Sequence, residues 1–356
     1  MKSLKRSVIF LLGFLMLIGC MLPIEARADM TFSFLPRRMY DGRVYEARPS
    51  AEVTNILLIG YDHHADGMEE TLHGYSNGGQ SDFLLLLTID HERKTIRPLQ
   101  IDRDTMTAIY VTDINGRQHR RSSLQICLSH AYGNTREKNN ANTVQAVEAL
   151  LGIEAKDDGV QIDWYMAMDI SGISCLNDVL GGVTVTLQDD LTYFDETMTV
   201  GTTLTLNGRQ AEAFCRGRYN VGDQTNASRM KRQQQYMNAA SGVLVQRLKE
   251  DVNFGSDLLD QMGIIYDMTT ASTDDPFSFS DPVEGTPTGQ AQEHYLMTNE
   301  PQSSIVGLLA KILDYEVLPT ETLPGVHAIG SSGYVEYRLE KDAGIKWALD
   351  AFYRSE

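Results

Sequence analysis

The sequence predicts an α/β protein, an α-β-α sandwich in which a central mixed sheet carries helices on both faces. Strands and helices alternate along the chain, which is typical of this architecture. The run Phe83–Ile89 is continuously apolar, as expected of a strand that is buried on both faces. With 356 residues, 42% of them hydrophobic, the chain is long enough to bury a large core.

The predicted elements follow from apolar patterning and from residues that end helices. The expected strands are Asn55–Ile59, Phe83–Ile89, Thr95–Ile101, Trp164–Met168 and Val183–Leu187. The expected helices are Ser123–Tyr132, Asn142–Leu151, Ser171–Leu180, part of Asn207–Arg218, Ser228–Lys249, 302–315 and 343–354. Gly181 and Gly182 end one helix, and Ser228 is the expected N-cap of the long one.

The N-terminus has the pattern of an export segment, since Lys2, Lys5 and Arg6 precede the apolar run Val8–Ile24. Three outcomes remain open: cleavage after Ala28, a lipid on Cys20, or a retained membrane anchor. Each of them places the rest of the chain outside the cytoplasmic membrane. We therefore predict a signal peptide or anchor over 1–28, an exposed lead-in over 29–52 and a main domain over 53–250. A C-terminal extension over 251–356, with a loop at 272–294, completes or flanks that domain.

The charge of the chain argues against one class of function, nucleic-acid binding, and directs attention to a local cluster of arginines. Lys and Arg total 31 and Asp and Glu total 48, which gives a formal net charge of −17. Such an acidic chain is a poor candidate for binding nucleic acid. Four arginines nevertheless lie within one short stretch: Arg216, Arg218, Arg229 and Arg232, followed by Gln233. An extended Arg216–Arg218 segment places two guanidinium groups on one face, which predicts an anion site. The alternative is a set of surface arginines that are paired with carboxylates.

Two further groups of residues lie at predicted strand ends, where open α/β sheets bind ligands. Asp62 directly follows one strand and Asp82 directly precedes the next, so the two carboxylates are candidate Mg²⁺ ligands. They could equally be solvated loop residues or turn caps. Arg103 stands between Asp102 and Asp104, either as a local ion pair or as a fork for phosphate.

Read together, these segments resemble the LytR-CpsA-Psr family of bacterial cell-wall transferases. The resemblance covers roughly residues 53–245 and rests on motifs that occur in family order. The matching stretches are Asn55–Asp62, Gly79–Asp82, Ile101–Thr105, Ala131–Gly133, Met168–Gly172, Asp178–Val183, Leu206–Ala211, Arg216-x-Arg218 and Arg229-x-x-Arg232-Gln233.

The resemblance implies a phosphotransferase with an apolar groove for a polyprenyl chain. Such an enzyme takes a glycopolymer from a polyprenyl-pyrophosphate carrier and attaches it to peptidoglycan at the outer face of the membrane. By position, Asp62 and Asp82 would hold Mg²⁺. The pyrophosphate would be bound by Arg103, Arg216, Arg218, Arg229, Arg232 and Gln233, the last two in support. Asp104 would act either as the general base or as the residue that orients Arg103, and the catalytic set would be Arg103, Asp104, Arg216 and Arg218.

The chain departs from the family pattern at four positions. Gln80, Phe83, Asp102 and His130 stand where the family has Arg, Thr, Pro and Asn. Two other functions remain open, and the differences at Gln80, Phe83 and Asp102 motivate the second of them. One is a metal-dependent pyrophosphatase with water as the acceptor. The other is an envelope module that holds the lipid carrier without turnover.

Overall fold

The computed structural model describes residues 36–62, 69–71, 74–76, 79–113, 115–133, 135–153, 160–266 and 294–355. The predicted export segment 1–28 lies outside these ranges, as does the predicted loop 272–294 except for its last residue. Within them, no helix combines the length and the apolar character needed to cross a bilayer.

The strands are numbered in chain order. They are β1 (Arg37–Tyr40), β2 (Arg43–Ala47), β3 (Val53–Tyr61), β4 (Glu69–Thr71), β5 (Gly74–Ser76), β6 (Ser81–Asp90), β7 (Thr95–Ile101), β8 (Met106–Thr112), β9 (Gln118–Gln125), β10 (Trp164–Asp169), β11 (Val183–Thr186), β12 (Thr203–Leu206), β13 (Ile264–Tyr266), β14 (Leu296–Thr298), β15 (Glu316–Val317), β16 (Glu321–Thr322), β17 (Gly325–Ile329), β18 (Val335–Leu339) and β19 (Tyr353–Ser355).

The helices are numbered in the same way. They are α1 (Arg136–Leu150), α2 (Gly172–Leu180), α3 (Gly208–Arg216), α4 (Asn226–Glu250), α5 (Phe254–Gln261), α6 (Gln302–Ile312) and α7 (Ala343–Phe352), together with a 3-10 helix at Ile126–Tyr132.

The central sheet has the order β13-β14-β10-β3-β6-β7-β15, and β16 also pairs with β7. Strand β3 runs antiparallel to β6 and parallel to β10, so the predicted mixed sheet is confirmed. Residues 91–94 join β6 to β7, which are antiparallel neighbours.

Alternate residues of the central strands point to opposite faces, as the period of a β-strand requires. Leu57 and Ile59 pack in a cluster that includes Val147 of α1 and Trp347 of α7. Ile56 packs on the other face, with Ile312 of α6 against its cluster. Helices therefore cover both faces of the sheet, as predicted.

Several elements differ from the sequence predictions, and three of the differences have a clear physical reason. The described part of the lead-in, 36–52, contains β1 and β2, which form a sheet with β19 because the C-terminus returns to pair with them. The predicted helix Ser123–Tyr132 is the end of β9 followed by a 3-10 turn, because residues 118–125 pair with β8. The long helix begins two residues early, and its cap is Thr225, whose side chain accepts from the backbone N–H of Ser228 at 3.2 Å.

Candidate active site

The site lies where β3 and β6 adjoin at one end of the sheet. The backbone N–H of Asp62, just past β3, donates to the carbonyl of Gln80 at 3.0 Å. Gly79 has a φ of +77°, and a Cβ at this position would overlap the carbonyl oxygen of Asp62. Only glycine allows this close approach, which brings the chain segments that carry Asp62 and Asp82 together.

The centre of the site is Asp82, which lies between two arginines from distant parts of the chain. Its Oδ1 accepts from Nη1 of Arg103, and its Oδ2 accepts from Nη1 of Arg229 at 3.0 Å. The Asp82 and Arg103 side chains are about one-seventh exposed, and that of Arg229 is 5% exposed. Burial lowers the pKa of Arg229, although the carboxylate of Asp82 opposes that shift.

Arg103 is held by the residues around it. Its Nη2 donates to Oε1 of Gln80 and, at 3.3 Å, to the sulfur of Cys127. Its Nε lies 3.6 Å from Oδ1 of Asp104. Gln80 stands where the resemblance expects an arginine, so the substitution gives Arg103 an acceptor in place of a like charge. Burial raises the pKa of Cys127 to about 11, which keeps this thiol neutral.

Arg216 and Arg218 line the edge of the site but do not share an extended face, so that prediction is wrong. Arg216 is the last residue of α3, and the chain leaves the helix at Gly217. Arg216 donates to Oδ1 of Asp62 at 3.1 Å and remains 48% exposed. The Nε of Arg218 donates to the carbonyl of Gln224 at 3.1 Å. The charge of Arg218 opposes the rise in the pKa of Asp104 and adds to the fall in the pKa of Arg229.

Arg232 is placed differently from the other arginines. It is 2% exposed, and it donates to the backbone carbonyls of Phe214 and Gly217 and to Oδ2 of Asp189 at 2.5 Å. These contacts hold the turn between α3 and α4, so they are compatible with the supporting role expected of Arg232. Gln233 is also buried, and its Oε1 accepts a hydrogen bond from Nε2 of Gln100 at 3.3 Å.

A cleft with mostly apolar walls adjoins the arginines. It runs between the sheet and helices α2 and α4, and Asp82, Arg216 and Arg229 close one part of it. The other lining residues are Gly60, Phe83, Met168, Asp169, Ile170, Ile173, Leu176, Cys215, Gln233, Tyr236 and Met237. The site therefore joins a cationic end, suited to an anion, to a carbon-lined cleft.

Sequence reasoning missed several residues of the site and one contact of Gln80. Cys127 contacts Arg103, and so does Gln80, which the sequence singles out only as a departure from the family pattern. Asn226 accepts from Nη2 of Arg229 at 2.7 Å. Of these residues, only Asn226 could have been found from helical spacing, because it lies one turn before Arg229 on the same helix. Asp189 and Cys127 gain their roles through contacts between segments that no local spacing reveals.

The comparisons with known proteins agree with this geometry. The model of the LytR_cpsA_psr family matches residues 38–268. The polyisoprenyl-teichoic acid--peptidoglycan teichoic acid transferase TagU of Bacillus cereus is 26% identical over 184 residues, which are 52% of this chain and 50% of that protein. The polyisoprenyl-teichoic acid--peptidoglycan teichoic acid transferase TagV of Bacillus subtilis is 29% identical over 194 residues. These residues are 52% of this chain and 42% of that protein. The chain thus spans about half the length of the curated relatives it matches.

A solved structure shares the fold. The crystal structure of protein gbs0355 from Streptococcus agalactiae superposes with a TM-score of 0.60 at 19% identity, covering 87% of this chain and 93% of that one. At this identity the likeness concerns the fold alone.

Proposed function

The chain belongs to the LytR-CpsA-Psr family, and we propose that it transfers a glycopolymer from a polyprenyl-pyrophosphate carrier to peptidoglycan. The proposed place of action is the outer face of the cytoplasmic membrane, with the predicted segment 1–28 as export signal or anchor. Homologues that are named as teichoic acid transferases support the general class of reaction.

One observation carries the proposal: buried arginines and an apolar cleft meet at Asp82. Arg103 and Arg229 are oriented by this carboxylate, and Arg216 lies at the mouth of the same cleft. A polyprenyl pyrophosphate has the matching two-part chemistry, an anionic head on a long hydrocarbon. We assign the head to the arginines and the first isoprene units to the walls formed by Ile173 and Met237.

The reaction then consists of positioning and charge neutralisation, as is general in phosphoryl transfer. A hydroxyl oxygen of the peptidoglycan acceptor bonds to the phosphorus that carries the glycopolymer. The bond from that phosphorus to the bridging oxygen breaks, and polyprenyl phosphate leaves with the hydroxyl proton on the oxygen that had bridged the two phosphorus atoms. Arg103, Arg216, Arg218 and Arg229 stabilise the charge on the phosphoryl oxygens. The contact of Asp104 with Nε of Arg103 favours the orienting role for Asp104 over that of general base.

Mg²⁺ remains part of the proposal. Asp62 and Asp82 supply carboxylate oxygens from neighbouring strand ends, and both side chains are partly exposed. This donor set fits a hard divalent ion, which would add positive charge beside the pyrophosphate. Arg216 contacts Asp62, and Arg103 and Arg229 contact Asp82. A bound ion would share the two carboxylates with these arginines.

The test uses the full chain with a polyprenyl-pyrophosphate-linked saccharide, a peptidoglycan oligomer and Mg²⁺. Formation of the saccharide–peptidoglycan phosphodiester is measured together with release of polyprenyl phosphate. Arg216→Ala should lower the rate about 100- to 1,000-fold, the usual effect of removing one charge contact aimed at the transition state. Arg209→Ala is the matched control, because Arg209 is an exposed arginine on the same helix. It should retain the wild-type rate.

The products distinguish the two rival functions. A saccharide phosphate that forms with water as acceptor, and no phosphodiester, would indicate a pyrophosphatase. Tight binding of the carrier without turnover would indicate a module that only holds the lipid. Either result overturns the transferase proposal.

A further inference from the structure

A second group of chemically reactive side chains lies beside the arginine site. It consists of Asp102 and Asp104, which follow β7, and His327 on β17. One donor atom from each residue lies within 4.8 Å of the donor atoms of the other two. Asp102 and Asp104 are each 6% exposed, whereas the His327 side chain is 38% exposed. The group is therefore buried on its carboxylate side and accessible on its imidazole side.

The spacing of these donors suits a metal ion. Nε2 of His327 lies 2.9 Å from Oδ2 of Asp102. Two ligands that lie about 2.1 Å from an ion and at right angles to each other are about 3 Å apart, so the two atoms are already spaced as neighbouring ligands. Two carboxylates and one neutral imidazole balance the charge of a divalent ion. The imidazole favours a transition ion such as Mn²⁺ or Zn²⁺ over Mg²⁺ or Ca²⁺.

The ligands are held in place by residues around them, as is typical of metal centres. Oδ1 of Asp102 accepts from Nδ2 of Asn226 at 2.8 Å, and Oδ1 of Asp104 accepts from Nε2 of Gln125 at 3.0 Å. The ring of His327 packs on Tyr337, with 4.6 Å between ring centroids.

The electrostatics point in the same direction. Two buried carboxylates this close repel each other. Nε of Arg103 lies 3.6 Å from Oδ1 of Asp104 and offsets part of that repulsion, and a cation between the two carboxylates would offset more of it.

The group shares Asp104 with the arginine site, but its other two residues lie outside that site. Asp102 stands where the resemblance expects a proline, and His327 lies beyond the residues 38–268 that the family model matches. Neither residue belongs to the proposed Mg²⁺ pair Asp62 and Asp82.

We infer that Asp102, Asp104 and His327 bind a divalent transition-metal ion of the manganese or zinc type. The exposed side of the imidazole leaves coordination positions open to water or to an oxygen of a ligand. The inference does not depend on the proposed transferase function, because the ion binds to the free protein.

The test titrates the untagged full chain with Mn²⁺ in the presence of excess Mg²⁺ and follows free Mn²⁺ by electron paramagnetic resonance. Mn²⁺ is chosen because, unlike Zn²⁺, it does not favour the thiols of the free cysteines. We expect one bound Mn²⁺ that Mg²⁺ does not displace, with the nitrogen coupling of an imidazole ligand in pulsed spectra. His327→Gln should abolish that coupling, and His327→Gln and Asp102→Asn should each weaken binding at least about 10-fold.

A matched control is available elsewhere in the chain. His119 forms a similar pair with Asp113, at 2.7 Å, but among the described residues no further carboxylate, imidazole or thiol lies close enough to complete a group of three. His119→Gln should therefore leave Mn²⁺ affinity unchanged. Thermal melting of each variant confirms that it is folded. The inference is overturned if no Mn²⁺ binds, if the bound ion lacks nitrogen coupling, or if His327→Gln and Asp102→Asn bind as tightly as the wild type.

Discussion

The substitution Asp82→Asn tests the centre of the site most directly. It keeps the size of the side chain and removes the charge that pairs with Arg103 and Arg229. Both arginine side chains are largely buried, at 16% and 5% exposure, so water does not replace the lost carboxylate. The variant leaves two guanidinium groups near each other with no counter-charge at this position.

The expected loss of stability follows from this burial. Removing one partner of a buried ion pair costs about 3–5 kcal/mol. For a unit of about 320 residues, an unfolding entropy of about 2.1 cal/mol/K per residue converts this loss into a fall in Tm of about 4–7 °C. The double variant Asp82→Asn/Arg229→Met should recover part of the loss, because it removes one of the unpaired cations.

The assay is chemical and thermal unfolding of the wild type, both single variants and the double variant. Glu46→Gln serves as the control, because Glu46 pairs with Arg37 on the surface and its loss should cost less than about 1 kcal/mol. The reasoning is refuted if Asp82→Asn melts within 1 °C of the wild type. It is also refuted if the losses of the two single variants simply add in the double variant, since contacting residues should couple.

Three further predictions concern the supports of the fold. Arg232→Lys should lower the free energy of unfolding by about 3 kcal/mol in urea denaturation, because lysine cannot reproduce the fork that holds the α3–α4 turn. Thr225→Ala should cost about 1 kcal/mol by the same assay, because it removes the helix cap, whereas Ser228→Ala should cost much less. Burial opposes ionisation of Asp90, but the side-chain bond from Arg48, the backbone bond from Arg93 and the charges of both arginines together outweigh it and lower the pKa of Asp90 to about 2. This stabilisation is present above about pH 4 and is lost as the pH falls toward 2. Asp90→Asn should therefore cost about 2 kcal/mol at pH 7, a difference that vanishes near pH 2 in acid unfolding curves.

The elements that the sequence predicted well are those fixed by local pattern. The apolar run at Phe83–Ile89 was expected to be a strand buried on both faces, and it forms an internal strand of the sheet, between β3 and β7. Gly181 ends α2 in the left-handed conformation, as its position suggested. Prediction failed where pairing with a distant segment decided the outcome, as in Ser123–Tyr132, whose first residues are held by β8.

The same division applies to the site. The sequence by itself determined which residue types are present: the arginines on α3 and α4, the carboxylates at strand ends, and the order of the family motifs. Only the tertiary structure decided which of them meet. It brought Arg229 to Asp82 across 147 positions of sequence and turned Arg232 inward to hold the backbone. It also placed His327 against Asp102, across 225 positions. The physical reason is that periodicity and capping act within a few residues, whereas ion pairs form wherever the packed chain brings charges together.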